Sequence, residues 1–83
     1  METVKKGSKG DTVKQLQTKL NQLGFKLATD GQFGDATHNA VITMQSIFGY
    51  DVDGIVGDGT WKLLDQQVGY KWNLESARKA LAK

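Results

Sequence analysis

The chain has 83 residues, no cysteine, a single histidine and a formal net charge of only +2. This length provides one small domain, and without cysteine there is neither a disulfide framework nor a thiolate metal site. The scattered lysines do not form the dense basic stripe of a nucleic-acid-binding protein, and no apolar run approaches the length of a signal-peptide core or a membrane span.

The first predicted helix covers residues 11–23. Its apolar residues recur at spacings of three and four, which places them on one face and leaves a polar face opposite. These apolar residues are Val13, Leu16, Leu20 and Leu23. Gly24 is predicted to end the helix, with Phe25 folding back as the apolar residue that often follows a glycine C-cap.

The second predicted helix covers residues 35–48 and follows a tight turn at Asp30 and Gly31. In such a turn the aspartate hydrogen-bonds nearby backbone and the glycine supplies a positive φ. The predicted inward face consists of Ala36, Ala40, Val41, Met44 and Phe48, and Ile47 widens it. Gly49 is predicted to stop the helix, and His38 is expected on its polar face.

The third predicted helix covers residues 58–67 and follows a second tight turn at Asp53 and Gly54. Its apolar face contains Trp61, Leu64 and Val68, again at spacings of three and four. The sequence therefore predicts an all-α domain in which three helices surround one small core.

The composition changes in the last part of the chain. An aromatic connector, Tyr70-Lys71-Trp72, leads to a good N-cap residue and then to strong helix formers, which predict a short fourth helix over residues 74–82. We therefore divide the chain into a three-helix domain over residues 1–68 and a C-terminal helical extension, or the start of a linker, over residues 69–83.

The two tight turns belong to a near-duplicated segment. Residues 30–37 read Asp-Gly-Gln-Phe-Gly-Asp-Ala-Thr, and residues 53–60 read Asp-Gly-Ile-Val-Gly-Asp-Gly-Thr. The apolar residue between the glycines, Phe33 or Val56, is predicted to point into the core. Asp35 and Asp58 would then lie at the cap or in the first turn of a helix, where free backbone amides and the helix dipole favour a carboxylate.

The aspartates of the second turn also allow two functional interpretations. Asp51-Val52-Asp53-Gly54 resembles part of a calcium-binding EF-hand loop, but the first ligand position of that loop falls on Gly49 and the twelfth, normally glutamate, on Thr60. Asp51 and Asp53 could also be proposed as a catalytic acid and base. They lie in a turn, however, and no zinc triad or activated nucleophile accompanies them. We therefore expect no metal, no cofactor and no catalytic residue.

Three stretches together resemble the peptidoglycan-binding domain of bacterial and phage cell-wall enzymes. They are residues 9–25, residues 30–37 with Ala40, Val41 and Gln45 after them, and residues 52–61, which ends in Trp61. The likeness covers about residues 4–68, and order, spacing and both turns agree. It implies a compact three-helix module, without catalytic machinery, that attaches hydrolases, amidases and spore-cortex enzymes to peptidoglycan.

The chain departs from the pattern of this family at a few positions. Asp35 and Asp58 stand where family members often have proline, and both residue types suit the first turn of a helix. Met44 stands where phenylalanine is usual, and the run before the second turn is less polar than in the family.

The resemblance implies that peptidoglycan, through its stem peptide or its glycan, is the partner. Polar side chains near the turns would hydrogen-bond the stem peptide or sugar amides, and an aromatic face would pack on apolar parts of the ligand. The candidate binding residues are Gln32, Gln45, Tyr50, Asp53, Ile55 and Trp61. Structural alternatives stay open: Trp61 as a core residue, Asp53 as a turn former and Gln45 as a partner of loop backbone. Tyr50 has one too, as a staple at a helix end.

We expect a monomer with a linked catalytic domain, without nucleic-acid or membrane partners. Its expected location is the cell wall or periplasm, reached through a parent protein or phage lysis, since no signal peptide is evident. A protein-interaction module that docks a partner domain through its helices or through Tyr70 and Trp72 is the main alternative. DNA binding is disfavoured by the acidic residues around the third helix, Asp51, Asp53, Asp58 and Asp65.

Overall fold

The computed structural model describes residues 2–49 and 51–74. Within them the chain forms three helices, α1 (Asp11–Gln22), α2 (Asp35–Phe48) and α3 (Asp58–Gly69), and no β-strand beyond two isolated bridges. The predicted all-α, three-helix class is confirmed, and the bounds differ from the prediction by two residues at most. All but the first residue of the predicted fourth helix lies outside the described residues. No helix in the described part of the chain has the length and hydropathy needed to cross a membrane.

All three helices begin in the same way. A glycine occupies the N-cap, and an aspartate follows as the first helical residue. No side chain caps the free amides at these N-termini, so the aspartates act through their charge near the positive end of the helix dipole. The predicted place for Asp35 and Asp58, the cap or the first turn, is therefore the first turn.

The end of α1 confirms the predicted glycine C-cap. Gly24 has a φ of 103°, its N–H donates to the carbonyl of Asn21 at 3.1 Å, and the N–H of Phe25 donates to the carbonyl of Leu20 at 3.2 Å. This pair of bonds is a Schellman motif, and it satisfies carbonyls that the helix itself leaves free.

The end of α3 repeats this motif without glycine. The N–H of Trp72 donates to the carbonyl of Gln67 at 3.0 Å, and the N–H of Lys71 donates to the carbonyl of Val68 at 3.1 Å. Lys71 has a φ of 58° and is the one non-glycine residue with a positive φ among residues 2–49 and 51–74. A lysine here gives no sequence signal for a C-cap, which explains why the predicted end at residue 67 is two residues too early.

The core collects residues from all three helices and from both repeated turns. Its buried apolar residues are Val4, Val13, Leu16, Leu20, Leu23, Phe33, Ala40, Val41, Met44, Val56, Trp61 and Leu64. Phe33 and Val56, the apolar residues of the two repeats, are buried as predicted.

The inward face of α2 differs from the predicted face. Ala36 is exposed and Ile47 is 41% exposed, whereas Thr37 and Gln45 are buried. The predicted apolar stripe was wrong at these positions because two polar residues of the helix turn inward to hydrogen-bond the loops. In α3 the prediction missed Leu63, which is also buried.

The N-terminal segment joins the two repeats. Val4 and Val56 exchange both backbone hydrogen bonds, at 3.1 and 2.8 Å. The N–H of Gly7 donates to the carbonyl of Phe33, and the N–H of Phe33 donates to the carbonyl of Ser8, both at 3.0 Å. The same short segment therefore fixes the apolar residue of each repeat in the core.

The residues after α3 return to the end of α1. The N–H of Leu74 donates to the carbonyl of Leu23 at 2.7 Å, and Leu74 is buried. The ring of Trp72 packs edge-on against Phe48, with 5.4 Å between centroids and 64° between planes. The predicted division between residues 68 and 69 stays a prediction, although residues 72–74 pack on the three-helix unit.

Candidate functional site

A buried glutamine holds the second repeated turn. Gln45 is 1% exposed, and its Oε1 accepts the backbone N–H groups of Asp53 at 3.2 Å and Gly54 at 3.0 Å. Its Nε2 donates to the Ile55 carbonyl at 3.0 Å, Asp53 Oδ1 at 3.1 Å and Thr60 Oγ1 at 3.4 Å. Asp53 Oδ1 also accepts the N–H of Ile55 at 2.9 Å, which closes the turn.

A second buried glutamine holds the first turn by the same pattern. Gln17 Nε2 donates to the Gln32 carbonyl at 3.0 Å, and to Asp30 Oδ1 and Thr37 Oγ1 at 3.1 Å each. Gln17 Oε1 accepts the N–H of Gly31 at 3.0 Å, and Asp30 Oδ1 accepts the N–H of Gln32 at 3.0 Å. The duplicated sequence thus produces two equivalent structures, which we call the glutamine clamps.

Sequence reasoning missed Gln17. It lies four residues after Val13 and three before Leu20, within the apolar stripe of α1, and a polar residue at such a position was the available signal. Gln45 comes from α2 and holds the turn after its own helix, as Gln17 does for α1. Each helix therefore positions the turn that leads into the next one.

A shallow depression opens beside each clamp. The one at the second turn has a volume of about 230 Å³ and is lined by Gln45, Asp51, Asp53, Ile55, Gly57, Gly59 and Thr60. The one at the first turn has a volume of about 190 Å³ and is lined by Gln17, Leu27, Ala28, Asp30, Gln32, Gly34, Asp35, Ala36 and Thr37. We call them the second and the first depression, after their turns.

The six candidate binding residues do not form one cluster. Gln45, Asp53 and Ile55 meet at the second depression, with Ile55 39% exposed and the Gln45 amide engaged by the clamp. Gln32 lies in the first depression and is exposed. Trp61 is 3% exposed, and its Nε1–H donates to the carbonyl of Glu2 at 2.9 Å. The sixth candidate, Tyr50, lies outside the described residues.

The carboxylates of the first depression are stabilised in their charged form. The backbone N–H of Gln32, and then the Gln17 amide, lower the pKa of Asp30. An ion pair with Lys6 lowers the pKa of Asp35, and both partners of this pair are largely exposed. Nowhere in the described ranges do three or more His, Cys, Asp or Glu side chains gather as metal ligands would.

His38 is half-buried and packs against the second turn. A Cβ placed on Gly54, which has a φ of 73°, would lie 2.7 Å from His38 Nδ1. Nδ1 is buried and has no hydrogen-bond partner within the described part of the chain. The expected position on a polar helix face did not include this contact, in which the imidazole ring fills the space left by the missing side chain of Gly54.

Comparison with known proteins shows what this arrangement is similar to. The family described as "Putative peptidoglycan binding domain" matches residues 9–64. The zinc D-Ala-D-Ala carboxypeptidase of Streptomyces albus G is 43% identical over 67 residues, which cover 77% of this chain and 26% of that protein. The N-acetylmuramoyl-L-alanine amidase CwlL of Bacillus licheniformis is 42% identical over 64 residues, which cover 74% of this chain and 18% of that protein.

Solved structures agree with these matches. A peptidoglycan-binding protein of Clostridioides difficile, in complex with glutamine hydroxamate, has a TM-score of 0.78 and 37% identity, covering 81% of this chain and 42% of that one. The N-terminal domain of SleB has a TM-score of 0.77 and 34% identity, covering 81% of this chain and 93% of that one. The chain thus spans about a quarter or less of the two enzymes, but nearly all of the SleB domain.

Proposed function

This chain belongs to the peptidoglycan-binding domain family, and we propose that it binds bacterial cell-wall peptidoglycan without catalysing a reaction itself. The observation that carries the proposal is the depression at the second repeated turn, which Gln45 holds by hydrogen bonds within the matched residues 9–64. The relatives support it, because the carboxypeptidase and the amidase are named for cleavage of peptidoglycan bonds.

The second depression offers both polar and apolar contacts to such a ligand. Asp51 makes no hydrogen bond or ion pair with another described residue, and Asp53 turns only Oδ1 into the clamp. These carboxylates would accept hydrogen bonds from amide N–H groups of the stem peptide or of N-acetylated sugars. Ile55 would pack on methyl groups of the same ligand, and Tyr50 stays a candidate for a further contact.

The Gln45 clamp makes this surface suitable for binding. It fixes the turn backbone before the ligand arrives, so binding does not lose the entropy of ordering the loop. Gln45 and Trp61, both buried, would then contribute through the shape of the site, while Asp53 and Ile55 would touch the ligand.

We further propose that the module holds a linked catalytic domain at the wall. Tethering raises the local concentration of the substrate around such a domain without any new contact to it. The proposed location is the cell wall or periplasm, reached through a parent protein or phage lysis, and the proposed form is a monomer. The relatives, most of whose length lies outside the matched region, support this arrangement.

Co-sedimentation with purified sacculi tests the binding proposal. We expect the wild-type chain to pellet with sacculi, and Ile55→Ala, Tyr50→Ala and Asp53→Asn to pellet several-fold less. Asn keeps the oxygen that the clamp needs. Ile47→Ala is the matched control, because Ile47 is exposed to a similar degree and lines neither depression. Wild-type protein that stays in the supernatant would refute the function, and folded site variants that pellet normally would refute the site.

One exposed aromatic residue favours a second candidate function, the docking of a partner protein. Tyr70 is 76% exposed at the end of α3, and aromatic residues are enriched in protein interfaces. A Tyr70→Ser variant separates the two functions. Under the peptidoglycan proposal it pellets with sacculi like wild type, and under the docking alternative it loses binding to the partner domain alone.

A further inference from the structure

We infer that the first depression is a second ligand subsite, related to the second depression by the internal duplication, which takes an amide-bearing part of the same polymer. This inference rests on the proposed function. It adds a binding site at the first repeated turn and gives Gln32 a ligand of its own.

The first step of the inference is that residues 32 and 55 occupy equivalent places. Each donates its backbone N–H to the turn aspartate, at 3.0 Å for Gln32 and 2.9 Å for Ile55. The carbonyl of each accepts a hydrogen bond from the Nε2 of the clamp glutamine, at 3.0 Å in both turns. The backbone N–H and the carbonyl of both residues are held in the same way. The two side chains therefore project from equivalent positions of the two turns.

The second step is that the two surfaces have similar dimensions and are open. Their volumes are about 190 and 230 Å³, and both Gln32 and Ile55 are exposed. The side-chain amide of Gln32 makes no hydrogen bond with another described residue, so its donor and its acceptor are both available. Leu27, Ala28 and Ala36 supply apolar surface next to it.

The third step is that the two equivalent positions have side chains of different chemistry. Ile55 offers only apolar contact, whereas the Gln32 amide can donate to a carbonyl and accept from an N–H at once. The Lys6–Asp35 pair at the edge of the first depression is exposed and contributes little to stability, so both charges can exchange partners with a ligand. The first subsite therefore suits a secondary amide, which is present both in stem peptides and in N-acetyl groups.

Two subsites on one rigid domain would act together on a polymer. A repeating ligand that occupies one of them raises the effective concentration of its neighbouring units at the other. Retention on intact sacculi would then exceed the affinity of either subsite for a small fragment.

An NMR titration of the isotope-labelled full chain tests the inference. The ligands are a soluble disaccharide-peptide fragment, a peptide-free N-acetylated glycan oligomer and a free stem peptide. We expect the fragment to shift the backbone amide signals of Gly31 and Gln32 as well as those of Gly54 and Ile55. The glycan and stem-peptide titrations show which source of the amide binds at the first depression, because the ligand that binds there shifts the signal of Gln32.

Matched variants separate the subsites. Gln32→Ala should abolish the shifts at the first turn only, and should weaken retention on sacculi about three- to tenfold, as the loss of one or two hydrogen bonds implies. Gln15→Ala, the same change on the outer face of α1, should alter neither. Gln32→Ile gives the first turn the residue type that the second turn has at Ile55. This variant should fold normally but lose the ligand-induced shifts at the first turn.

The outcomes distinguish this inference from the function on which it rests. Shifts confined to the second turn, together with wild-type retention of Gln32→Ala, would overturn the subsite at the first depression and leave peptidoglycan binding intact. Absence of shifts at both turns, with no retention on sacculi, would overturn the proposed function itself.

Discussion

Replacing Gln45 with leucine removes a clamp while preserving side-chain volume. The change leaves the N–H of Gly54 buried without a partner, and it also frees the N–H of Asp53 and the carbonyl of Ile55, which are partly buried. An unpaired buried polar group costs about 1–3 kcal/mol. With about 1–2 kcal/mol for Gly54 and about 1 kcal/mol for the other two together, the expected loss is about 2–3 kcal/mol.

This loss is large for a domain of this size, whose net stability is about 3–5 kcal/mol. At about 4–8 °C per kcal/mol, the melting temperature of Gln45→Leu should fall by about 8–24 °C in a calorimetric or circular-dichroism melt. The exposed control Gln15→Leu should melt within about 3 °C of wild type, because surface changes are worth at most about 0.5 kcal/mol.

A Gln45→Glu variant identifies the amide donor as the cause. Its carboxylate keeps an oxygen for the Gly54 N–H but turns the other toward the Asp53 carboxylate and the Ile55 carbonyl, so its pKa in the folded state rises above about 4.3. Because the pKa is raised, the free energy of unfolding of the variant is closest to that of wild type below about pH 4. The difference grows as the pH rises through the folded pKa. A Gln45→Leu melt within about 3 °C of wild type, or a Gln45→Glu deficit independent of pH, would refute the clamp energetics.

Three further predictions concern backbone and charge. Lys71→Gly should raise the free energy of unfolding by about 1 kcal/mol in a denaturant titration, because glycine accepts the φ of 58° without strain; an unchanged midpoint would contradict this. Gly54→Ala should lower the melting temperature, since its Cβ would lie 2.7 Å from the neighbouring histidine Nδ1, whereas Gly69→Ala, in open helical surroundings, should not lower it. Asp30→Asn keeps the oxygen that accepts the Gln32 N–H but loses the lowered pKa. Wild-type stability from this carboxylate is present above about pH 3.9 and lost as the pH falls through the lower folded pKa, so the variant should show less acid destabilisation in pH-dependent melts.

The sequence predicts the helices well because local signals and tertiary packing agree there. Glycine and aspartate mark each helix start, and the spacing of leucines in α1 matches the face that is buried. The prediction failed where a residue has a conformation or a burial that is unusual for its residue type. Lys71 takes a glycine conformation at the end of α3, and buried Thr37 and Gln45 displace Ala36 and Ile47 from the inner face of α2.

The candidate binding residues stay a prediction, and the structure adds how the turns beside them are held. The interpretation of Gln45 as a partner of loop backbone is confirmed, whereas Gln17 was missed because it is distant along the chain from the groups it binds. Gln32 and Ile55 were named together as candidate binding residues, and the structure places them beside two different depressions. The aligned repeats already place these two residues opposite each other, and the hydrogen bonds of the clamps show that their backbones are held in the same way.

The most direct test is a sacculi-binding isotherm of the Gln32→Ala/Ile55→Ala double variant beside wild type. The melting temperature of both proteins is measured as the control for folding. Both side chains are exposed and make no bond in either clamp, so the variant should melt within about 5 °C of wild type. We predict that it loses at least about tenfold in affinity for sacculi, as the loss of contacts in both depressions implies. A folded double variant that binds sacculi like wild type would contradict the claim that the repeated turns carry the ligand.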